Sequence, residues 1–255
     1  MFISGIFFMK GMNFMIYRSH RGGVYYTPEN TMPAFLDAMK KGFLCIETDP
    51  VYTKDGKLVL LHDPTINRTC RNADGSKIQE EILLSQLTYD ELMQYDAGIY
   101  KGEQFRGVKV PLLEELLQAA EHTDVEISFD KKIPDDKQEP LFDLVEKYQT
   151  KVSFSVQDVA RTKIIQARFP DALICYDGNA TEENLKEITS IVKPENLVVW
   201  LYLDTPNFAW LTDRVKASAE NCALVKKYAR LGIGNVENPY DVAEAMSYDP
   251  YMIEI

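Results

Sequence analysis

The run Phe43-Leu44-Cys45-Ile46-Glu47-Thr48-Asp49-Pro50, continued by Val51-Tyr52-Thr53-Lys54-Asp55-Gly56-Lys57-Leu58-Val59-Leu60-Leu61-His62-Asp63, decides how the chain is read. Its first half is a short apolar strand. Glu47 and Asp49, two residues apart, point to one side of it, with Leu44, Ile46 and Thr48 on the other. Its second half places a Lys54-Asp55-Gly56 turn between two apolar runs, which predicts a hairpin. Further strand-length runs lie outward from it: Phe14–Ser19, Val125–Asp130, Val152–Val156, Ala172–Tyr176, Leu197–Leu203, Leu231–Val236 and Tyr251–Ile255. Helix-period patterns separate several of them: Ala34/Phe35/Ala38/Met39, Leu112/Leu113/Leu116/Leu117/Ala120 and Leu224/Val225/Tyr228/Leu231. With Phe43–Thr48 as the second strand, the alternation predicts an α/β fold with eight parallel strands closed into a TIM (β/α)8 barrel. An open doubly wound sheet is the runner-up.

One region breaks the rhythm. Residues 50–110 hold the hairpin and then Thr88-Tyr89-Asp90-Glu91, a capping-box pattern that opens a short helix. The segment reads as an insertion after the second strand, where barrel loops lie on the active face. No helical pattern follows the eighth strand, so the last helix is expected to be missing from this sequence. No repeat, low-complexity tract or linker divides residues 1–255, and 255 residues suit one barrel domain.

Charge narrows the function. Lys and Arg total 28 against 39 Asp and Glu, a net charge of −11, which argues against a nucleic-acid partner. An acidic chain that handles a phosphorylated molecule must concentrate cations locally. The apolar Met1–Met9 run is interrupted by Lys10, follows no basic segment and precedes no clear cleavage pattern. It is expected to cover the closed end of the core, or to lie upstream of a start at Met12 or Met15. No stretch approaches the roughly 18 apolar residues of a membrane span, so stable membrane insertion is not expected. Cys45, Cys70, Cys175 and Cys222 are scattered without a C-x-x-C pair and read as reduced, mostly buried thiols, with the cytoplasm as default compartment.

The densest chemistry is Ser19-His20-Arg21-Gly22-Gly23, Pro28-Glu29-Asn30-Thr31, Glu47-Thr48-Asp49 and Leu61-His62-Asp63, with Asp130-Lys131-Lys132 further on. Two same-side carboxylates repel unless a cation joins them, and a hard divalent ion, Mg²⁺ or Ca²⁺, suits oxygen ligands. A solvated strand end without an ion is the plainer reading of that pair. His20 and His62 both end strands beside these carboxylates, an arrangement suited to general acid–base work. The glycines after Arg21 let backbone approach a ligand, and its guanidinium can fork onto a phosphate. The third histidine, His122, follows a helix in a polar loop and reads as solvent-exposed.

The His20-Arg21-Gly22 turn, Pro28-Glu29-Asn30-Thr31 with Ala34-Phe35, Glu47-x-Asp49, and Asp55-Gly56 followed by Val59-x-x-His62-Asp63 together resemble the glycerophosphodiester phosphodiesterases. Ile66-Asn67-Arg68-Thr69, Asp96-Ala97-Gly98 and Pro111-Leu112-Leu113-Glu114-Glu115 extend the resemblance, which is dense over residues 19–117 and weaker beyond. It implies a TIM barrel with a segment inserted between the second strand and the second helix. It implies His20 and His62 as the acid–base pair, Glu47 and Asp49 as metal ligands, and Arg21 on the phosphate. The family's Glu-x-Lys at the third barrel strand appears as Asp130-x-Lys132, implying Asp130 as a third, shorter metal ligand and Lys132 as a phosphate-binding cation. The family's Trp-Thr-x-Asn appears as Asn235-Val236-Glu237-Asn238, which loses a pocket wall and adds a carboxylate. The family's closing Thr-Asp after the eighth strand would fall beyond Ile255. Height along the strand separates Asp130 from Glu126, the other acid of that segment. At about 3.3 Å per residue, Glu126 sits roughly 13 Å lower, near the closed end.

The activity so implied is hydrolysis of a small-molecule glycerophosphodiester to an alcohol and sn-glycerol 3-phosphate. Either histidine suits either proton-transfer role, and either water or a substrate hydroxyl suits the attack. The nearest rival is a lysophospholipase D or sphingomyelinase D type of activity, for which the aromatic-rich Leu201–Trp210 segment offers an apolar surface. A non-catalytic phosphodiester-binding domain is the rival of another class.

Overall fold

A computed structural model of the chain describes residues 15–206, 211–234 and 236–255. Met1–Met9, Phe14, the 207–210 part of the aromatic segment and Asn235 lie outside the described residues. In chain order the elements are β1 (Ile16–Ser19), α1 (Met32–Lys40), β2 (Cys45–Thr48), β3 (Pro50–Tyr52), β4 (Leu58–Leu60), α2 (Tyr89–Leu92), α3 (Leu113–Ala120) and β5 (Glu126–Phe129). They continue as α4 (Glu139–Tyr148), β6 (Lys151–Val156), α5 (Val159–Arg168), β7 (Leu173–Tyr176), α6 (Glu182–Thr189), β8 (Leu197–Tyr202), α7 (Ala219–Lys226), β9 (Arg230–Gly234), α8 (Pro239–Ser247) and β10 (Met252–Glu254).

Eight strands close in the order β1-β10-β9-β8-β7-β6-β5-β2, each pair parallel, so the barrel holds and the open sheet does not. The hairpin forms as read: β3 and β4 pair antiparallel, Val51 opposite Val59. Thr88 caps α2 in a full capping box with Glu91. The inserted segment has a small core of its own, built from Val59, Leu61, Ile66, Cys70, Leu84, Leu92, Ala97 and Val110. One helix is shorter than its pattern. α7 ends at Lys226, and Leu231 pairs with Val199 in the β8–β9 ladder, because strand pairing outweighs continued helical periodicity there.

Alternation fixes what each face of the barrel does. Outward side chains Ile46, Ile127, Phe129, Phe154, Ile174, Val199, Ile233 and Ile253 join the core shared with the helices. Inward, Cys45, Cys175, Val198, Trp200 and Met252 pack in the lumen. Glycine at 232 makes room there, since a side chain at that position would lie 2.7 Å from the Trp200 ring. Above this apolar layer sits a buried ion pair. Arg18 meets Glu254 at 2.6 Å, donates to Ser128 Oγ at 3.1 Å, and lays its guanidinium 3.8 Å from the centre of the Trp200 ring. All four cysteines are buried and free. Among the described residues, no helix is long and apolar enough to cross a membrane.

Candidate active site

Turns at the C-terminal ends of the strands place the polar side chains. After β1 the backbone turns sharply through His20–Gly22, with Arg21 at φ 53° and Gly22 at φ 79°. A side chain at Gly22 would also come 2.8 Å from Phe35, so only glycine fits the turn. Left-handed backbone at an arginine is strained and persists only when its surroundings hold it. Two hydrogen bonds do so: Arg21 N–H donates to Glu47 Oε2 at 3.0 Å, and Asn30 N–H donates to the Arg21 carbonyl at 2.9 Å. Asn30 is a second hub. Its amide donates to Asp49 Oδ2 at 2.8 Å, and its carbonyl oxygen accepts from Thr48 Oγ1 at 2.8 Å.

His20, Arg21, Glu47, Asp49, His62, Asp130 and Lys132 all line one cavity of about 630 Å³ at this end of the barrel. Every candidate residue is therefore brought together. Glu126 lies elsewhere, lining a separate cavity with Lys151, Arg230 and Tyr251 at the strand starts, as its height along β5 requires. His122 is 89% exposed in its side chain.

The cavity is laced by ion pairs. His62 Nδ1 lies 2.6 Å from Asp63 Oδ1, which fixes the ring. Arg68 donates through Nε to Asp63 Oδ2 at 2.6 Å and forks onto both oxygens of Glu29 at 2.7 Å. Glu29 also takes Arg21 Nη1 at 2.9 Å. A continuous chain, His62–Asp63–Arg68–Glu29–Arg21, thus joins the inserted segment to the β1 turn. Burial works against ionising Glu29 and Asp63, but the Arg68 bonds, with Arg21 and His62 respectively, outweigh it and hold each carboxyl at about 2. On the other wall Lys132 Nζ lies 3.6 Å from Asp49 and 3.7 Å from Asp130, and Lys131 bridges Asp130 and Asp177. Those two ammonium groups overcome burial and keep the Asp130 carboxyl below its usual range.

Glu47 is driven the other way. Burial first, then the charges of Asp49, Glu254 and Asp130, push its carboxyl well above the usual range. The cavity therefore carries a surplus of buried negative charge, which is the donor chemistry a hard cation would relieve. Among the described residues, no three Asp, Glu, His or Cys side chains stand as a ready ligand set. Burial lowers His20 below the ordinary imidazole value and prevails over the opposing charge of Glu254.

Arg18, Asp177, Tyr202, Arg214 and Glu254 also line the cavity, without having been singled out by sequence. Asp177 follows the β7 run as Asp49 follows β2, a signal that was available. Arg214 sits in the long β8–α7 loop, where no periodicity marks it. Glu237 reaches the cavity wall, as its departure from the family pattern suggests.

A closed parallel barrel with acids, imidazoles and cations gathered over its C-terminal strand ends defines a TIM-barrel protein with a built polar site. The model of the glycerophosphoryl diester phosphodiesterase family matches residues 20–234, and the chain belongs to that family. A glycerophosphodiester phosphodiesterase of Caldanaerobacter subterraneus is 41% identical over 100 residues, 39% of this chain and 38% of that protein. The human glycerophosphodiester phosphodiesterase 1 is 34% identical over 116 residues, 45% of this chain and 33% of its own length. The chain is thus matched to well under half the length of these relatives. Among solved structures, a Silicibacter pomeroyi protein described as a glycerophosphoryl diester phosphodiesterase is similar with a TM-score of 0.78 at 20% identity, covering 94% of this chain and 89% of that one. An Oleispira antarctica phosphodiesterase, solved with its product sn-glycerol-3-phosphate, is similar with a TM-score of 0.75 at 15% identity, over 94% and 92%.

Proposed function

We propose that the protein hydrolyses small-molecule glycerophosphodiesters to an alcohol and sn-glycerol 3-phosphate. One observation carries this reading: the two strand-end histidines, three carboxylates and two cations converge on a single cavity at the active end of the barrel. Glu47, Asp49 and Asp130 would hold one divalent cation, Mg²⁺ or Ca²⁺. Such an ion, when bound, supplies positive charge to the phosphoryl oxygens.

The chain's own residues do the rest. Arg21 and Lys132 face the same phosphoryl oxygens and steady the charge that grows on them. His20, kept neutral by burial, takes the proton of the attacking hydroxyl. His62, oriented through Nδ1 by Asp63, presents Nε2 to the leaving alkoxide and returns a proton to it. The test is release of glycerol 3-phosphate from glycerophosphocholine, followed through a glycerol-3-phosphate dehydrogenase. No release at any divalent-ion concentration, with the phosphodiester still bound, would favour the non-catalytic binding domain instead.

A further inference from the structure

The catalytic cavity changes character toward its rim. Deep inside, cations and acids alternate: Arg21 holds Glu29, and Lys132 lies between Asp49 and Asp130. On the β1–β9 side of the mouth the lining becomes Val24, Tyr25, Val236 and Glu237. Tyr25 is 50% exposed and Glu237 is exposed. Burial first, then the charges of Glu237 and Asp241, push the Tyr25 hydroxyl above its ordinary value, which places the ring and these carboxylates close together. In sequence, Glu237 stands at the open position of the family's Trp-Thr-x-Asn run, where the family imposes no side chain.

α8 starts at this wall, yet its first N–H groups are spent within the chain. The Asn238 side chain accepts from the N–H groups of Tyr240 and Asp241, and Asp241 accepts from Glu237 N–H at 3.2 Å. The wall therefore presents a carboxylate and a ring rather than donors for an anion. Across the mouth, Asp177 is already taken by Lys131, by the Tyr202 hydroxyl at 2.7 Å and by Arg214 at 3.8 Å. The leaving arm passes the Tyr25 side. His62, which returns a proton to the leaving oxygen, belongs to the inserted segment, and Lys101 of that segment turns its ammonium onto the Val24 carbonyl, fixing residues 24–25 beside it.

We propose that Glu237 and Tyr25 form a head-group subsite for an alkylammonium, so that the protein prefers glycerophosphodiesters of cationic amino alcohols over those of uncharged alcohols. This rests on the phosphodiesterase reading above and names a substrate class within it. The carboxylate attracts the ammonium by charge, and the ring face attracts it through its quadrupole.

The test compares glycerophosphocholine with its carbon isostere, in which a tert-butyl group stands in place of the trimethylammonium. Both are read as glycerol 3-phosphate through the dehydrogenase, in the parent, Glu237→Gln and Tyr25→Leu. An exposed ion pair and an exposed ammonium–ring contact are each worth up to about fivefold, so at low salt the parent should favour the cation in kcat/KM by about tenfold, through KM. Glu237→Gln keeps the shape of the side chain and should cut that ratio by about threefold or more, and Tyr25→Leu should lower it as well. Added salt should shrink the parent's ratio, because Glu237 stands in water. Each ratio is internally controlled, since turnover of the isostere reports a folded site. A parent that turns over both diesters equally, or a Glu237→Gln ratio equal to the parent's, overturns the subsite. Failure of the parent to release glycerol 3-phosphate from either diester overturns the phosphodiesterase reading itself and this inference with it.

Discussion

Arg18→Met is expected to be among the most destabilising single changes in the barrel, and the cost can be worked from its contacts. Arg18 is 5% exposed and meets Glu254, also 5% exposed, at 2.6 Å. Methionine fills much of the same volume against Trp200 but leaves the Glu254 carboxylate buried without its cation. Breaking one side of a buried pair costs about 3–5 kcal/mol. For a chain of this size each kcal/mol moves the melting point by about 2–4 °C, so Arg18→Met should melt about 6–20 °C below the parent at pH 7. The double variant Arg18→Met/Glu254→Leu removes both charges and should recover most of the loss. The pH dependence has a definite sign. In the parent, Arg18 overcomes burial and holds Glu254 below its ordinary 4.5, so the pair's contribution is present above 4.5 and fades as pH falls through the lowered value. In Arg18→Met burial is opposed only by His20 and Arg21, which shifts the carboxyl upward from its parent value, so the deficit widens as pH climbs through 4.5 and narrows below it. Calorimetric melts of the parent and both variants, from pH 4 to 8, measure all of this. A single variant melting with the parent at pH 7, or a double variant no better than the single, refutes the account of the lumen.

His20→Ala and His62→Ala should each lower turnover of glycerophosphocholine by about 10²-fold or more, while His122→Ala leaves it unchanged; equal damage from all three would break the separation of site from surface. Because burial lowers His20, the neutral base persists as pH drops through the ordinary imidazole value of 6.5, and kcat/KM should fall only below it; an acid limb centred above 6.5 contradicts His20 as base. Chelation should abolish turnover and Mg²⁺ or Ca²⁺ restore it, and full activity after exhaustive chelation with no metal by elemental analysis removes the ion. Asp130→Asn should weaken metal affinity and turnover, whereas Glu126→Gln should act mainly on stability, and the reverse pattern sinks the assignment.

Short apolar runs were enough to read the strands, because parallel barrel strands are buried on both faces, against helices outside and side chains in the lumen. Alternation put Glu47 and Asp49 together, but it leaves Asp130 and Glu126 on the same side, and only the rise per residue separates those two. It could not find the Arg18–Glu254 pair. Arg18 sits in Ile16–Ser19 beside the exposed Tyr17, and its inward partners lie on β5, β8 and β10, joined only when the barrel closes. The Glu29–Arg68 fork was equally hidden: both residues were visible in the motifs, but their contact spans 39 positions and depends on how the inserted segment sits.

The two imidazoles stand on different bodies. His20 ends a barrel strand, while His62 belongs to a segment with its own apolar cluster. Leu58 and Leu60, on the strand that leads to His62, pack in the barrel core, while beyond it the segment is tied to the β1–α1 loop by Arg68 to Glu29, the Tyr100 hydroxyl accepting from Glu29 N–H at 3.0 Å, and Lys101 donating to the Val24 carbonyl. Subunits of structure joined in this way can open separately, at a lower free energy than the whole. Moderate denaturant should then extinguish catalysis while the helical signal of the barrel stands intact. Turnover would fail through lost alignment between two folded parts, and removing the denaturant would restore it without any refolding of the barrel.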